Sequence, residues 1–140
     1  MSALVESARR FFDACETGQG WEVCKEYCVS GASFSAQAGV LSGITTLEGY
    51  CEWTKGLLTP IPDGHYELKF FAADDASGTV AAVSVFHGTH SGPGGPVPPT
   101  GKKIAADYVY HMLFDGGRIR HMTKIWNDVA SMQQLGWAPA

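Results

Sequence analysis

The stretch that decides the fold is Lys102-Lys103-Ile104-Ala105-Ala106-Asp107-Tyr108-Val109-Tyr110-His111-Met112-Leu113-Phe114-Asp115-Gly116-Gly117-Arg118-Ile119. Ile104, Ala106, Tyr108, Tyr110, Met112 and Phe114 recur at every second residue, the period of a strand with one buried face. Asp115-Gly116-Gly117 supplies a hairpin turn, and Arg118 to Asn127 returns as the last strand. Upstream, Tyr66, Leu68, Phe70 and Ala72 alternate with His65, Glu67 and Lys69. Asp74 to Gly78 reads as a turn, and Thr79 to His90 as a further strand rich in Val and Ala. Ser91 to Gly101 is crowded with glycine and proline and reads as an irregular loop.

The first half of the chain has helical spacing instead. Leu4, Val5, Ala8, Phe11, Phe12 and Cys15 share one face, with Ser2 as N-cap, until Gly18-Gln19-Gly20 breaks the pattern. Trp21, Cys24 and Cys28 at i, i+3 and i+7 suggest a second short helix, and Gly31 to Gln37 a short strand holding Phe34. Thr45 and Glu48 fit a capping box before the stripe Leu47, Tyr50, Cys51, Leu57 and Leu58, which Pro60 and Pro62 end. Asp128 to Leu135 reads as a short terminal helix. Helices grouped early and strands late, joined by short turns, imply an α+β fold with a mostly antiparallel sheet. Such a sheet, curved around one long helix, would enclose a cavity.

A chain of 140 residues suits a single domain spanning 1–140. Hydrophobic residues make up 45% and charged ones 17%, so apolar surface is expected in a pocket, a subunit interface or both. A net charge of −4 with no basic block argues against a nucleic-acid partner. No run approaches the roughly 20 apolar residues of a membrane span, so no membrane partner is expected. The N-terminus lacks the pattern of a signal peptide, which predicts a cytoplasmic protein with Cys15, Cys24, Cys28 and Cys51 as reduced thiols.

No metal site is expected. His87 and His90 are three apart on a strand and point to opposite faces, and no histidine completes a zinc set with Cys24 and Cys28. His90 is read as an organiser of the loop that follows, while His87 could line the pocket. Phe34, Tyr50, Trp53 and Tyr108 are aromatic candidates for the pocket wall. His111 is a further polar candidate, although strict alternation sets it opposite the tyrosines unless a bulge intervenes. Asp128 has two readings. It could cap the terminal helix, with Asn127 the alternative cap, or act as an acid/base carboxyl raised by an apolar wall of Trp126 and Trp137.

Phe86-His87-Gly88-Thr89-His90-Ser91-Gly92 with Gly95-Pro96-Val97-Pro98-Pro99-Thr100-Gly101-Lys102 resembles the threonine-glycine hallmark of the SnoaL-like polyketide (ester) cyclases. Phe114-Asp115-Gly116-Gly117-Arg118-Ile119 resembles their hairpin with one extra glycine, and Asn127-Asp128 with Gln134-Leu135-Gly136 their C-terminal segment. The resemblance implies the nuclear transport factor 2-like cone, with a deep apolar pocket for a small apolar molecule. It also implies ring closure by aldol condensation without cofactor or metal. Asp128 would then be the acid/base and His111 its oxyanion or orienting partner, with Phe34, Trp53, His87, Tyr108 and Trp126 against the substrate. A homodimer joined through the outer sheet face is implied as well. A ligand-storing module, or an isomerase or dehydratase built on Tyr108 with Asp128 or on His87 with His111, is the alternative.

Overall fold

The computed structural model describes residues 2–139; Met1 and Ala140 lie outside them. Helix α1 (Ala3–Glu16) is capped by Ser2, whose hydroxyl accepts from Val5 N–H at 3.2 Å. Its buried face carries Ala8, Phe11, Phe12, Cys15 and, at the last position, Glu16. Helix α2 (Trp21–Cys24) is a single turn followed by a 3-10 turn at Lys25–Tyr27. Cys28 departs from the sequence reading: it opens strand β1 (Cys28–Gln37), with φ −124° and ψ 151°. One spacing of i, i+3, i+7 cannot separate a helix from a turn and strand of the same length.

Helix α3 (Leu47–Leu57) starts one residue later than the Thr45 capping box suggests. Thr46 is the cap, accepting from Gly49 N–H at 3.1 Å. Thr45 is held outside the helix because its carbonyl accepts from Phe34 N–H on β1 at 2.9 Å. Glu48 then sits in the first turn, where a negative charge favours the helix N-terminus, but not at the position that closes a box.

Strands β2 (His65–Asp74), β3 (Thr79–Thr89), β4 (Lys103–Asp115) and β5 (Arg118–Trp126) join β1 in one curved open sheet of order β1-β5-β4-β3-β2. Only the β1–β5 pair is parallel, and the other three are antiparallel. On β4, Ile104, Ala106, Tyr108, Tyr110, Met112 and Phe114 are all buried against the helices, as the period of two requires. On β2 a register shift between Leu68 and Phe70 reverses the parity. Phe71 turns inward, its ring 5.4 Å from that of Phe12, while Phe70 is exposed.

Helix α4 (Asp128–Leu135) is capped by Asn127, which accepts from Ala130 N–H at 3.1 Å. Gln134 donates to the carbonyl of Ala105 and accepts from its N–H, continuing the β4 ladder where β5 has ended. Thr100 donates to the Leu135 carbonyl at 2.7 Å, and Trp137 Nε1 donates to His90 Nδ1 at 2.9 Å. His90 is fully buried, and its backbone pairs with Gly101 and Lys102, so it organises the 91–101 loop. Gly92 seats that loop against the end of α3: its N–H donates to the Pro60 carbonyl, and an added Cβ would stand 2.2 Å from the Thr59 carbonyl oxygen. Gly92→Ala should therefore destabilise the fold by about 1–3 kcal/mol, read as a lower denaturation midpoint, because a backbone oxygen cannot swing aside.

Candidate active site

The sequence places one acidic and one basic side chain on inward-facing positions, and the fold brings them to the same cavity. Glu16 follows Phe12 by one helical turn and so shares its buried stripe. Lys124 alternates on β5 with Met122 and Trp126, all three buried. Both Glu16 (4% exposed) and Lys124 (7%) are out of water, where an unpartnered charge is costly.

Each charge is compensated by phenols. Glu16 accepts from Tyr110 Oη at 2.7 Å and from Tyr108 Oη through its other oxygen. Tyr110 is hydrogen-bonded to Tyr50, and Lys124 Nζ donates to Tyr50 Oη at 2.9 Å. A continuous path of hydrogen bonds thus runs from ammonium to carboxylate. The ammonium is ringed by Trp126, Tyr50, Tyr108, Trp53 and Tyr110, with ring centroids 4.4, 5.1, 5.1, 5.4 and 5.9 Å away.

Burial holds the Glu16 carboxyl above the ordinary carboxylate range, opposed by the Lys124 charge and the two phenols. Burial pushes Lys124 down to about 8, opposed by Glu16. The two groups are drawn toward each other in acidity, as an acid and a base working at one pH require.

The cavity they face has about 40 Å³ of free space, enough for a few waters. Trp53, Leu57, Phe86, Ile104, Trp126 and Met132 supply most of its apolar wall. Trp53, Leu57, Met132 and Trp137 also border an outer groove of about 390 Å³ under Gly94, Gly95 and Pro96. Movement of those four side chains would join the two spaces.

Trp53, Tyr108 and Trp126 line the cavity. Phe34 does not; it stacks behind Tyr50, centroids 4.5 Å apart. His87 lies on the outer face because Phe86 is the inward member of that pair, and its Nε2 donates to the Glu67 carboxylate at 2.9 Å beside His65. His111 is exposed on the outer face, since the bulge that would reverse it falls beyond it, between Leu113 and Phe114. Asp128 is buried but outside the cavity lining: its two oxygens accept from Val40 N–H at 2.9 Å and Val129 N–H at 3.0 Å. Tyr108 meets Glu16 and not Asp128, and His87 and His111 lie six residues apart along the β3–β4 register.

Glu16 and Lys124 escaped the sequence reading as site residues, while Tyr50, read there as a candidate for the pocket wall, lines the cavity. The available signal was a charge at a position whose neighbours in phase are apolar. The set that could hold a soft metal ion was also missed: the sulfurs of Cys15, Cys24 and Cys51 lie within 4.8 Å of one another, all buried. They offer three ligands where a structural zinc takes four, and Cys28 Sγ instead faces the Cys24 carbonyl.

The curved sheet closed by helices is the nuclear transport factor 2-like fold: an NTF2-like protein of Burkholderia pseudomallei K96243, 11% identical, matches with a TM-score of 0.74 over 96% of this chain and 98% of that one. The profile of the SnoaL-like polyketide cyclases matches residues 6–135, and the chain belongs to that family. A provisionally described SnoaL-like polyketide cyclase of Jannaschia sp. CCS1 is 20% identical, with a TM-score of 0.78 over 99% of this chain and 94% of that one. IdmH of Streptomyces antibioticus, provisionally a polyketide cyclase, is 22% identical with a TM-score of 0.78 over 95% and 98%. AclR of Streptomyces galilaeus, provisionally a hydroxylase, is 18% identical with a TM-score of 0.78 over 98% and 87%. At these identities the likeness establishes the fold alone. No curated protein matches the chain. Among the described residues no helix is long and apolar enough to cross a membrane.

The folded chain releases the Lys124 proton near pH 8, whereas an ordinary lysine holds it to 10.5. Between those values the unfolded chain carries more protons, so stability rises with pH, by an amount on the order of 3 kcal/mol when complete. Denaturant unfolding across that window should show the rise in the wild type relative to Lys124→Met, which lacks it.

Proposed function

We propose that the chain is a cofactor-free acid/base enzyme that moves a proton at the carbon beside a carbonyl in a small, largely apolar molecule. The observation that carries this reading is Glu16, a buried carboxylate held by Tyr108 and Tyr110 at the wall of an apolar cavity. Its raised pKa makes the ionised carboxylate a stronger base than one in water. Removing an α-proton leaves negative charge on the carbonyl oxygen. Lys124 lines the same cavity, and its ammonium would stabilise that enolate. An enolate formed beside a second carbonyl of the same molecule can close a ring by aldol addition, and the family is named for cyclisation.

Asp128 has a positioning part in this scheme. It ties the start of α4 to the turn at Gly39–Leu41, next to the outer groove. The test needs no natural substrate. Cyclohexanone in deuterium oxide, followed by NMR, should exchange its α-protons faster with the protein than without it, and Glu16→Gln should lower that rate at least about 100-fold. Loss of exchange in Asp128→Asn with Glu16→Gln unaffected would move the base to Asp128, as the family resemblance implies. No acceleration by the wild type would overturn the reading.

We infer further that the outer sheet face meets a second copy of the chain. Phe70, Val83, Val109 and Ile125 are successive cross-strand neighbours and form one apolar row across four strands. Phe70 and Ile125 are about half exposed, at 52% and 51%. Light scattering should give a dimer for the wild type and a monomer for Val109→Lys.

A further inference from the structure

Lys124 has the chemistry of a nucleophile as well as that of a charge. Among the described residues its hydrogen-bond partner is Tyr50 Oη alone, and no carboxylate oxygen lies within 4.0 Å of its nitrogen. An ammonium has three donors to satisfy, and aromatic faces accept them only weakly. The uncharged amine fits this box with less loss. Lys124 lines the cavity, and the Tyr50–Tyr110–Glu16 path offers a route for the protons that amine chemistry must move.

We propose that Lys124 forms an imine with an enolisable aldehyde or ketone bound in the cavity, so that the carbonyl is activated covalently. This rests on the carbonyl-ligand reading above and deepens it. The neutral Nζ attacks the carbonyl carbon, forming a C–N bond while the oxygen takes up a proton to give a carbinolamine. Loss of water gives the protonated imine. Glu16 removes the α-proton, and the C–H electron pair moves to give the enamine. The enamine carbon bonds to a second carbonyl carbon of the same molecule, whose oxygen takes a proton, and the imine is restored. Water then hydrolyses it, returning the ketone oxygen and the free amine of Lys124.

Two measurements on the intact protein test this, each with cyclohexanone as probe. With sodium cyanoborohydride present near neutral pH, peptide mapping should find reductive alkylation at Lys124 ahead of the exposed Lys25, Lys55, Lys69, Lys102 and Lys103. The margin in initial rate should be roughly 100-fold, set by the larger neutral fraction of an amine with a lowered pKa. In heavy-oxygen water, imine formation and hydrolysis should exchange the ketone oxygen with solvent, which simple enolisation does not do. Lys124→Arg, which keeps a cation and removes the nucleophile, should lose that exchange. Alkylation confined to the exposed lysines, or ketone-oxygen exchange that survives Lys124→Arg, overturns the imine. If α-proton exchange continues in either case, the acid/base reading stands without it. If α-proton exchange is also absent, both fall.

Discussion

The hydrogen bonds from Tyr108 and Tyr110 to the Glu16 carboxylate fix the geometry on which the rest of the interior depends. They tie the last residue of the first helix to the middle of the central strand. A buried carboxylate without such donors would favour unfolding or a proton. With them, Glu16 becomes the point from which the phenols of two elements are aligned. Tyr110 turns its hydroxyl toward Tyr50 on α3, and Tyr50 in turn accepts from Lys124 on β5. The aromatic walls then follow: Phe12 stacks parallel to Tyr108 at 6.3 Å, and Phe34 and Trp53 flank Tyr50.

The motifs that mark the family have structural work in this chain. Thr100 holds the carbonyl at the end of α4, Gln134 finishes the ladder of β4, and Gly136, with φ 74°, turns the chain so that Trp137 reaches His90. Gly92 sits where any side chain would strike backbone. These residues build the mouth of the cavity. The polar groups inside it come from elsewhere: the end of α1, the middle of α3 and alternate positions of the strands.

That division explains what could be read from sequence. The period of two on β4 gave the buried face correctly because no bulge interrupts its pairing with β3 over Lys103–Leu113. The same reasoning misplaced Phe70, where a bulge intervenes, and cannot foresee one. Thr45 looked like a cap until the strand pairing of Phe34 claimed its carbonyl, a contact between segments distant in the chain. His111 and Asp128 were attractive for their chemistry, but alternation sets the first outside, and two backbone amides occupy the second. Glu16 and Lys124 were written in the pattern as charges in phase with apolar neighbours, a signal that motif reading passes over.

The joining of the 91–101 loop to α4 has a mechanical consequence. Thr100 to Leu135 and Trp137 to His90 bind the two segments to each other, and Gln134 binds α4 to the edge of β4. They form one hydrogen-bonded unit anchored on the sheet rather than independent loops. A ligand larger than the inner space would therefore have to displace this unit as a body in order to enter.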